Sequence, residues 1–144
     1  MSKPTIAICA SASTYEEVIA ASPTIEELGF KVILPKTARK MKQLGATNIE
    51  FAKHLNISSA TKADLMRTHF KEIETSDAIL VMNYEKNGKP NYIGANVLLE
   101  MAIAFYLHKP IYVLNDVPDY SPLIDEILGM QPVFLQGNLK EIKF

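Results

Sequence analysis

Five short apolar runs recur along the chain, and turn-forming or charged residues separate them. The runs are TIAICA (5–10), FKVILP (30–35), DAILVMN (77–83), KPIYVLN (109–115) and QPVFLQ (131–136). Runs of this length with few polar residues are typical of strands that are covered on both faces. The pattern therefore predicts five strands.

The segment after the first run has the features of a helix. Ser13 to Glu16 fits the capping-box pattern, in which a hydroxyl is followed three residues later by a carboxylate. Ser22-Pro23 is expected to interrupt or kink this helix, or to restart it with proline in the first turn. Gly29 is predicted to end it, just before the second strand.

Further helices are predicted between the later strands, over 61–77, 94–107 and 119–130, the last ended by Gly129. The region 36–59 gives the weakest pattern. It begins with the basic segment KTARKMKQLG and continues with NIEFAKHLNISS, which has a short helical pattern. A long loop over 84–93 leads from the third strand to the helix at 94–107.

Strands that alternate with helices predict a parallel sheet with helices on both faces. With 144 residues, the chain is expected to form a single α/β domain over 1–144. The simplest arrangement is a doubly wound, flavodoxin-like or Rossmann-like sheet with strand order 2-1-3-4-5. In such sheets ligands bind beyond the carboxyl ends of the strands, where the winding reverses between strands 1 and 3.

One carboxylate interrupts the most apolar helix. The segment 94–107 is apolar nearly all round, which is typical of a buried helix, and Glu100 shares one face with Asn96 and Ala104. A buried carboxylate needs hydrogen-bonding or charged partners, and such groups cluster at functional sites. Pairing of Glu100 with a surface Lys or Arg is the alternative, and the pattern favours neither.

The loop before this helix is rich in groups that could hold a ligand. Gly88 and Gly94 permit close approach of the backbone, and a long loop at this edge of a sheet is often functional. An ordinary polar surface loop is the alternative. The candidate ligand-binding residues here are Asn83, Tyr84, Asn91, Tyr92, Gly94 and Asn96.

Composition and motif content argue against several classes of function. A net charge of −1 gives no electrostatic reason to expect nucleic acid or a membrane surface as partner. The start of the chain lacks a secretory pattern, so a cytoplasmic location is expected. The single cysteine, Cys9, is predicted to be a small buried strand residue. No Walker-type loop, dinucleotide fingerprint or zinc-ligand spacing is present, so neither a cofactor nor a metal is expected.

The segment SDAILVMN…NYIGANVLLEMAIAFYLHKPIYVLN resembles the core of the nucleoside 2-deoxyribosyltransferase-like superfamily, which includes 2′-deoxynucleoside 5′-phosphate N-hydrolases. The similar features are a strand, a loop, a glycine, a glutamate and then KPI at the next strand. IAICASAS is similar, more weakly, to the first strand and phosphate loop of that superfamily. The resemblance covers most of the chain except 36–60.

This resemblance implies an enzyme that breaks a sugar N-glycosidic bond at C1′. Glu100 would be the nucleophile, and the glycosyl intermediate would be resolved by water in a hydrolase or by a second base in a transferase. The substrate would be a nucleoside or a nucleoside 5′-monophosphate. Ser11 matches the phosphate-loop serine, and Ser13 follows it. Both precede a helix N-terminus that favours an anion, although Ser13 is equally explained as a helix cap.

The sequence also departs from the pattern of this superfamily. A tyrosine of the first strand is matched by Ala7, and a carboxylate of the helix before the third strand is matched by His69. The acid that precedes the nucleophile in the transferases is absent, because that region holds Asn91 and Gly94. His69 could act as acid or base, or it could be structural or exposed.

Two other functions remain open at this point. The missing carboxylates are compatible with a catalytically inactive nucleotide-binding module. A flavin-binding flavodoxin-like protein is the third hypothesis, because SASTYE is rich in hydroxyl groups and Tyr84 and Tyr92 could flank a ring system. The resemblance also suggests a homo-oligomer, a dimer or higher, that completes its site across the interface.

Overall fold

The computed structural model describes residues 2–47 and 58–144. Its centre is a five-stranded, all-parallel sheet with the order β2-β1-β3-β4-β5, which confirms the predicted topology. The strands are β1 Thr5–Cys9, β2 Lys31–Ile33, β3 Ala78–Val81, β4 Ile111–Val113 and β5 Val133–Phe134.

Helices cover both faces of the sheet. The described helices are α1 Tyr15–Glu27, α2 Lys36–Leu44, α3 Ser59–Thr75, α4 Ala95–Tyr106 and α5 Ile124–Gly129, with short 3₁₀ turns at Ala12–Thr14 and Leu139–Glu141. Val18 and Ile25 of α1 pack on one face of the sheet. Val97 and Met101 of α4 pack on the other, together with Ile73 of α3. This two-sided arrangement is the doubly wound fold that the sequence predicts.

The strands are shorter than their apolar runs. Prolines explain the starts of two of them, because a proline has no backbone N–H to donate to a neighbouring strand. β4 begins directly after Pro110, and β5 begins directly after Pro132. β5 covers only the middle of the predicted segment 131–136 and lies at one edge of the sheet.

The first helix differs from the prediction at two places. It is continuous through Pro23, so the expected interruption is wrong. It begins at Tyr15 with Thr14 as the N-cap, one residue after the predicted cap, because Ala12–Thr14 form a 3₁₀ turn in which the Thr14 hydroxyl donates to the carbonyl of Ser11 at 2.8 Å. The predicted end is confirmed by Gly29, which has a φ of 101°.

The basic segment 36–45 forms α2, which Arg39 fastens to α3. The guanidinium of Arg39 donates to both carboxylate oxygens of Glu72, at 2.8 and 3.0 Å, and to the carbonyl of Leu34 at 2.6 Å. This bidentate interaction fixes the start of α2 beside the carboxyl end of the sheet. Most of the predicted helical pattern at 48–59 lies outside the described residues.

Candidate functional site

A cavity of about 310 Å³ opens at the carboxyl end of the sheet, next to β1 and β3. Its walls come from the segment after β1, the start of α2, one side of α3, the loop after β3 and the first turns of α4. This is the point where the winding of the sheet reverses, and the volume lies in the range of small-molecule sites.

Glu100 lies on the wall of this cavity, in the second turn of α4. The residue is only 5% exposed, and its Oε2 lies 2.7 Å from Nε2 of His69. The alternative of a surface pair with Lys or Arg is therefore wrong. The partner of Glu100 is an imidazole on the neighbouring helix α3, because α3 and α4 pack side by side on the same face of the sheet.

His69 is also buried, at 8% exposed. Its Nδ1 is enclosed and has no hydrogen-bond partner among the described residues. A doubly protonated ring would bury an N–H group without an acceptor, which is costly, whereas a bare ring nitrogen is tolerated more easily. We therefore assign the neutral tautomer with the proton on Nε2, which donates to the Glu100 carboxylate.

Cys9 completes a buried trio with these two residues. It is the last residue of β1, it is fully buried, and its Sγ lies 3.6 Å from His69 Nε2. Burial, the negative charge of Glu100 and a hydrogen bond to Glu100 raise the pKa of the Cys9 thiol well above its usual value. The neutral thiol is thus an S–H donor to the carboxylate. Cys9 is therefore a β1 residue that lies beside Glu100.

Tyr15 is a cavity residue that the sequence analysis missed. It is the first residue of α1 and lines the cavity. Burial raises the pKa of its phenol, and the negative charge of Glu100 raises that pKa further. The phenol therefore stays neutral. The capping pattern accounted for STYE as a helix start, so nothing in the sequence directed attention to the tyrosine inside it.

The cavity has one acid at its base and three lysines around it. Within the described residues, Glu100 is the only acidic residue of the lining, whereas Lys36, Lys62 and Lys86 all line it. Lys62 Nζ donates to Asn96 Oδ1 at 3.3 Å. Among the described residues, the side chain that pairs with the Glu100 carboxylate is His69. The lysines therefore leave the carboxylate without a cationic partner.

Several predicted ligand-binding residues do line the cavity: Ser11, Tyr92, Gly94 and Asn96. Gly94 precedes α4 and packs against the ring of Tyr92. A Cβ at this position would lie 3.0 Å from Tyr92 Cε1 and 3.1 Å from its hydroxyl. A larger residue at Gly94 would therefore displace the tyrosine from the cavity wall.

Four predicted residues are not among the residues that line the cavity: Ser13, Asn83, Tyr84 and Asn91. The Asn83 side chain accepts a hydrogen bond from the backbone N–H of Asn115 at 2.9 Å and donates one to the backbone carbonyl of Asn115 at 2.7 Å. Asn91 Nδ2 donates to the Asp116 carbonyl at 2.8 Å. The two asparagines thus tie the loop after β3 to the loop after β4.

Tyr84 and Ser13, which also lie outside the cavity lining, have different surroundings. Tyr84 packs against the core on the α1 side of the sheet. Burial, and then the charge of Glu17, raise the pKa of its phenol. The Ser13 hydroxyl lies 3.3 Å from that of Ser11, at the rim of the cavity.

The fold and the site together define a doubly wound α/β protein with a buried carboxylate at its ligand-binding edge. No family model matches the chain, and no curated protein matches it. Several solved structures do match the chain. The chain is similar to a 2-deoxyribosyltransferase from Bacillus psychrosaccharolyticus, with a TM-score of 0.62, 13% identity and coverage of 97% of this chain and 93% of that one.

A second similar structure is a conserved protein from Enterococcus faecalis V583, with a TM-score of 0.51, 16% identity and coverage of 88% of this chain and 76% of that one. At these identities the likenesses show the fold. The fold that the sequence resemblance implied is therefore confirmed. Within the described residues, no helix has both the length and the apolar character needed to cross a bilayer.

Proposed function

We propose that this chain cleaves or transfers at the N-glycosidic bond of a (deoxy)nucleoside or nucleoside 5′-monophosphate, with Glu100 as nucleophile. The observation that carries the proposal is the placement of this carboxylate. Glu100 lies on the cavity wall, almost fully buried. The groups against it are the neutral Cys9 thiol and the His69 imidazole. Donors of this kind hold a carboxylate ionised without the neutralising cation that would weaken its attack.

The reaction would proceed in two displacements. A carboxylate oxygen of Glu100 forms a bond to C1′ while the C1′–N bond breaks, and its electron pair leaves with the base. Water then attacks C1′ and frees Glu100 in a hydrolase, whereas a second base does so in a transferase. The departing base would take its proton from water, because a neutral imidazole that gave up its only N–H proton would be left as an anion. His69 would instead orient the Glu100 carboxylate through its Nε2–H.

The three lysines favour the monophosphate over the uncharged nucleoside. Lys36, Lys62 and Lys86 approach the cavity from three separate segments. Lys36 also lies 3.6 Å from Asp64, so Lys62 and Lys86 would contribute most of a field that attracts an anion. The Ser11 hydroxyl lies in the segment that precedes α1, where free backbone N–H groups add to this attraction. Ser13 would assist through its contact with Ser11. The base would stack on Tyr92, with Asn96 as a hydrogen-bonding partner.

The remaining predicted residues would act by holding the loop. Asn83 and Asn91 fix the loop after β3 through the bonds to Asn115 and Asp116. Tyr84 anchors the start of that loop in the core. Their contribution to binding would come from the position that they give to Tyr92 and Gly94.

A screen for free base across nucleosides and monophosphates tests this proposal, with Glu100→Gln beside the wild type. The substitution keeps the shape of the side chain and removes the nucleophile. We expect a loss of at least ~10³-fold in rate with substrate binding retained. Glu126→Gln, on the exposed side of α5, is the matched control and should retain full activity. Equal rates for Glu100→Gln and the wild type would end the assignment.

A non-catalytic nucleotide-binding module is the second candidate. One observation favours it: within the described part of the chain, no carboxylate besides Glu100 lines the cavity. Binding of monophosphates without any release of base would support this candidate. The same screen therefore separates the two functions.

We also propose that the chain forms a homo-oligomer through the outer side of α4. Leu99, Phe105 and Tyr106 are exposed there, and Tyr106 is 81% exposed. Large apolar side chains grouped on one helix are typical of an interface.

A further inference from the structure

Three side chains from three separate elements converge at the base of the cavity. Cys9 ends β1, His69 lies on α3 and Glu100 lies on α4. The Cys9 sulfur, a ring nitrogen of His69 and a carboxylate oxygen of Glu100 all lie within 4.8 Å of one another. Sulfur, imidazole and carboxylate are the three ligand types that Zn²⁺ takes in proteins.

The geometry is close to three corners of a zinc tetrahedron. The distance from Cys9 Sγ to His69 Nε2 is 3.6 Å, and a tetrahedral Zn²⁺ with bonds of about 2.3 Å to sulfur and about 2.0 Å to nitrogen separates them by about 3.5 Å. The 2.7 Å contact between His69 and Glu100 is a hydrogen bond. The His69 nitrogen and the Glu100 oxygen would move apart by about 0.6 Å when a metal ion takes the place of the proton between them. His69 and Glu100 both line the cavity, so the fourth position faces it.

The charges also suit a divalent cation. With its thiol deprotonated, the trio would carry two negative charges, one from Cys9 and one from Glu100, and Zn²⁺ would neutralise both. Three lysines line the cavity, but in the described part of the chain none of them forms an ion pair with Glu100.

We propose that Cys9, His69 and Glu100 form a Zn²⁺ site that blocks the cavity when it is occupied. On binding, the Cys9 thiol releases its proton to solvent, and the His69 proton moves from Nε2 to Nδ1. The blocking rests on the proposed function, because a Glu100 oxygen bonded to zinc is not available to attack C1′. The binding itself does not depend on that function.

Zinc binding at this site would be reversible, because one of the hydrogen bonds that usually support a metal ligand is missing. Metal-bound histidines usually donate their second N–H to a carboxylate, a carbonyl or water, and His69 Nδ1 has no such partner among the described residues. We expect an affinity about 10–100-fold weaker than that of a site with this partner. The metal therefore acts as an inhibitor and not as a permanent structural ion.

Titration of the purified, metal-free protein with Co²⁺ alone, followed by displacement with Zn²⁺, tests the site. We expect one equivalent of Co²⁺ to give a thiolate-to-cobalt charge-transfer band that Zn²⁺ abolishes. Cys9→Ser should lose the band and bind Zn²⁺ at least about 10-fold more weakly. His108→Asn, which removes an exposed imidazole at a backbone φ of 57° that asparagine tolerates, should match the wild type. Thermal unfolding in the absence of metal checks that Cys9→Ser is folded.

Absence of the charge-transfer band, or equal zinc affinity of the wild type and Cys9→Ser, would overturn the site. Zinc at saturation should stop base release, and release at the metal-free rate would overturn the blocking of Glu100. A protein that binds zinc at this trio but releases no base from any substrate would refute the proposed function and leave the metal site standing.

Discussion

At Glu100 two physical effects oppose each other. Burial makes the ionised carboxylate costly, whereas the Cys9 thiol and the His69 Nε2–H donate hydrogen bonds that offset the cost. Each donor is a neutral group, so neither adds a positive charge beside the carboxylate. This balance is the residue-scale basis of the proposed chemistry.

Removal of one donor tests this balance. Cys9→Ala deletes the S–H that the carboxylate accepts, and a hydrogen bond to a charged group contributes about 1.5–3 kcal/mol. We expect kcat for base release to fall by about 10-fold or more, with KM little changed. Cys9→Ser keeps a donor and should lose less. Equal kcat for Cys9→Ala and the wild type would show that the thiol does not support Glu100.

The raised pKa of Cys9 also predicts how stability depends on pH. The folded protein keeps the thiol proton at pH values where the unfolded chain, with a pKa of about 8.5, loses it. This contribution to stability is complete below that pH. It is lost as pH rises toward the folded-state pKa, with a slope of up to about 1.4 kcal/mol per pH unit.

Urea unfolding at several pH values between 8 and 10, with a chelator present, measures this effect. We expect the free energy of unfolding of the wild type to decline more steeply than that of Cys9→Ser. Parallel curves for the two proteins would contradict the burial of a neutral thiol at this position.

Residue patterns predicted part of this site and missed the rest. Glu100 was identified because it alone interrupts an apolar helix, and His69 because of the resemblance. Cys9 and Tyr15 were missed as neighbours of Glu100, since their separation along the chain carries no spacing signal. They come together only at the carboxyl edge of the sheet, where the end of β1, the start of α1, α3 and α4 converge.

At the scale of elements, α3 supplies both a site residue and a cavity lysine. Lys62 lines the cavity, whereas Lys71 on the same helix pairs with Glu74 at the surface. We expect Lys62→Met to raise KM for a monophosphate about 10-fold and to leave KM for the nucleoside nearly unchanged, because a lost contact with a charged group costs about 1.5 kcal/mol or more. Steady-state base release measures both constants.

Lys71→Met is the matched control, since it removes the same charge from the same helix outside the cavity. It should leave both KM values at the wild-type level. An equal rise in KM for monophosphate and nucleoside in Lys62→Met would mean that the lysine does not recognise the phosphate.

The elements themselves were largely predictable. Strand order follows from alternation of strand and helix, and all five strands lie within the predicted runs. Pro23 is the exception, because the penalty for a proline inside a helix predicts an interruption and α1 is continuous. Packing of Val18 and Ile25, on either side of Pro23, against the sheet stabilises the continuous helix. Tertiary contacts of this kind have no local signature in the sequence.

At the scale of the whole molecule, the outer side of α4 is the surface through which we propose that copies of the chain associate. The same helix carries Glu100 inward and Phe105 and Tyr106 outward. If two copies associate through this helix, Tyr106→Glu should place a charge in the apolar interface and weaken association by at least about 10-fold. Sedimentation equilibrium measures the association constant directly. A wild type that is monomeric at micromolar concentration would contradict the assembly.

The central claim is that an enclosed carboxylate attacks the anomeric carbon of a bound sugar. The configuration at C1′ of the product tests it most directly. When base is released from a β-deoxynucleoside monophosphate in buffer that contains methanol, NMR of the methyl glycoside gives this configuration without interference from ring opening. Two successive displacements through Glu100 predict the β-methyl glycoside. The α-methyl glycoside would mean a single displacement and would contradict the account.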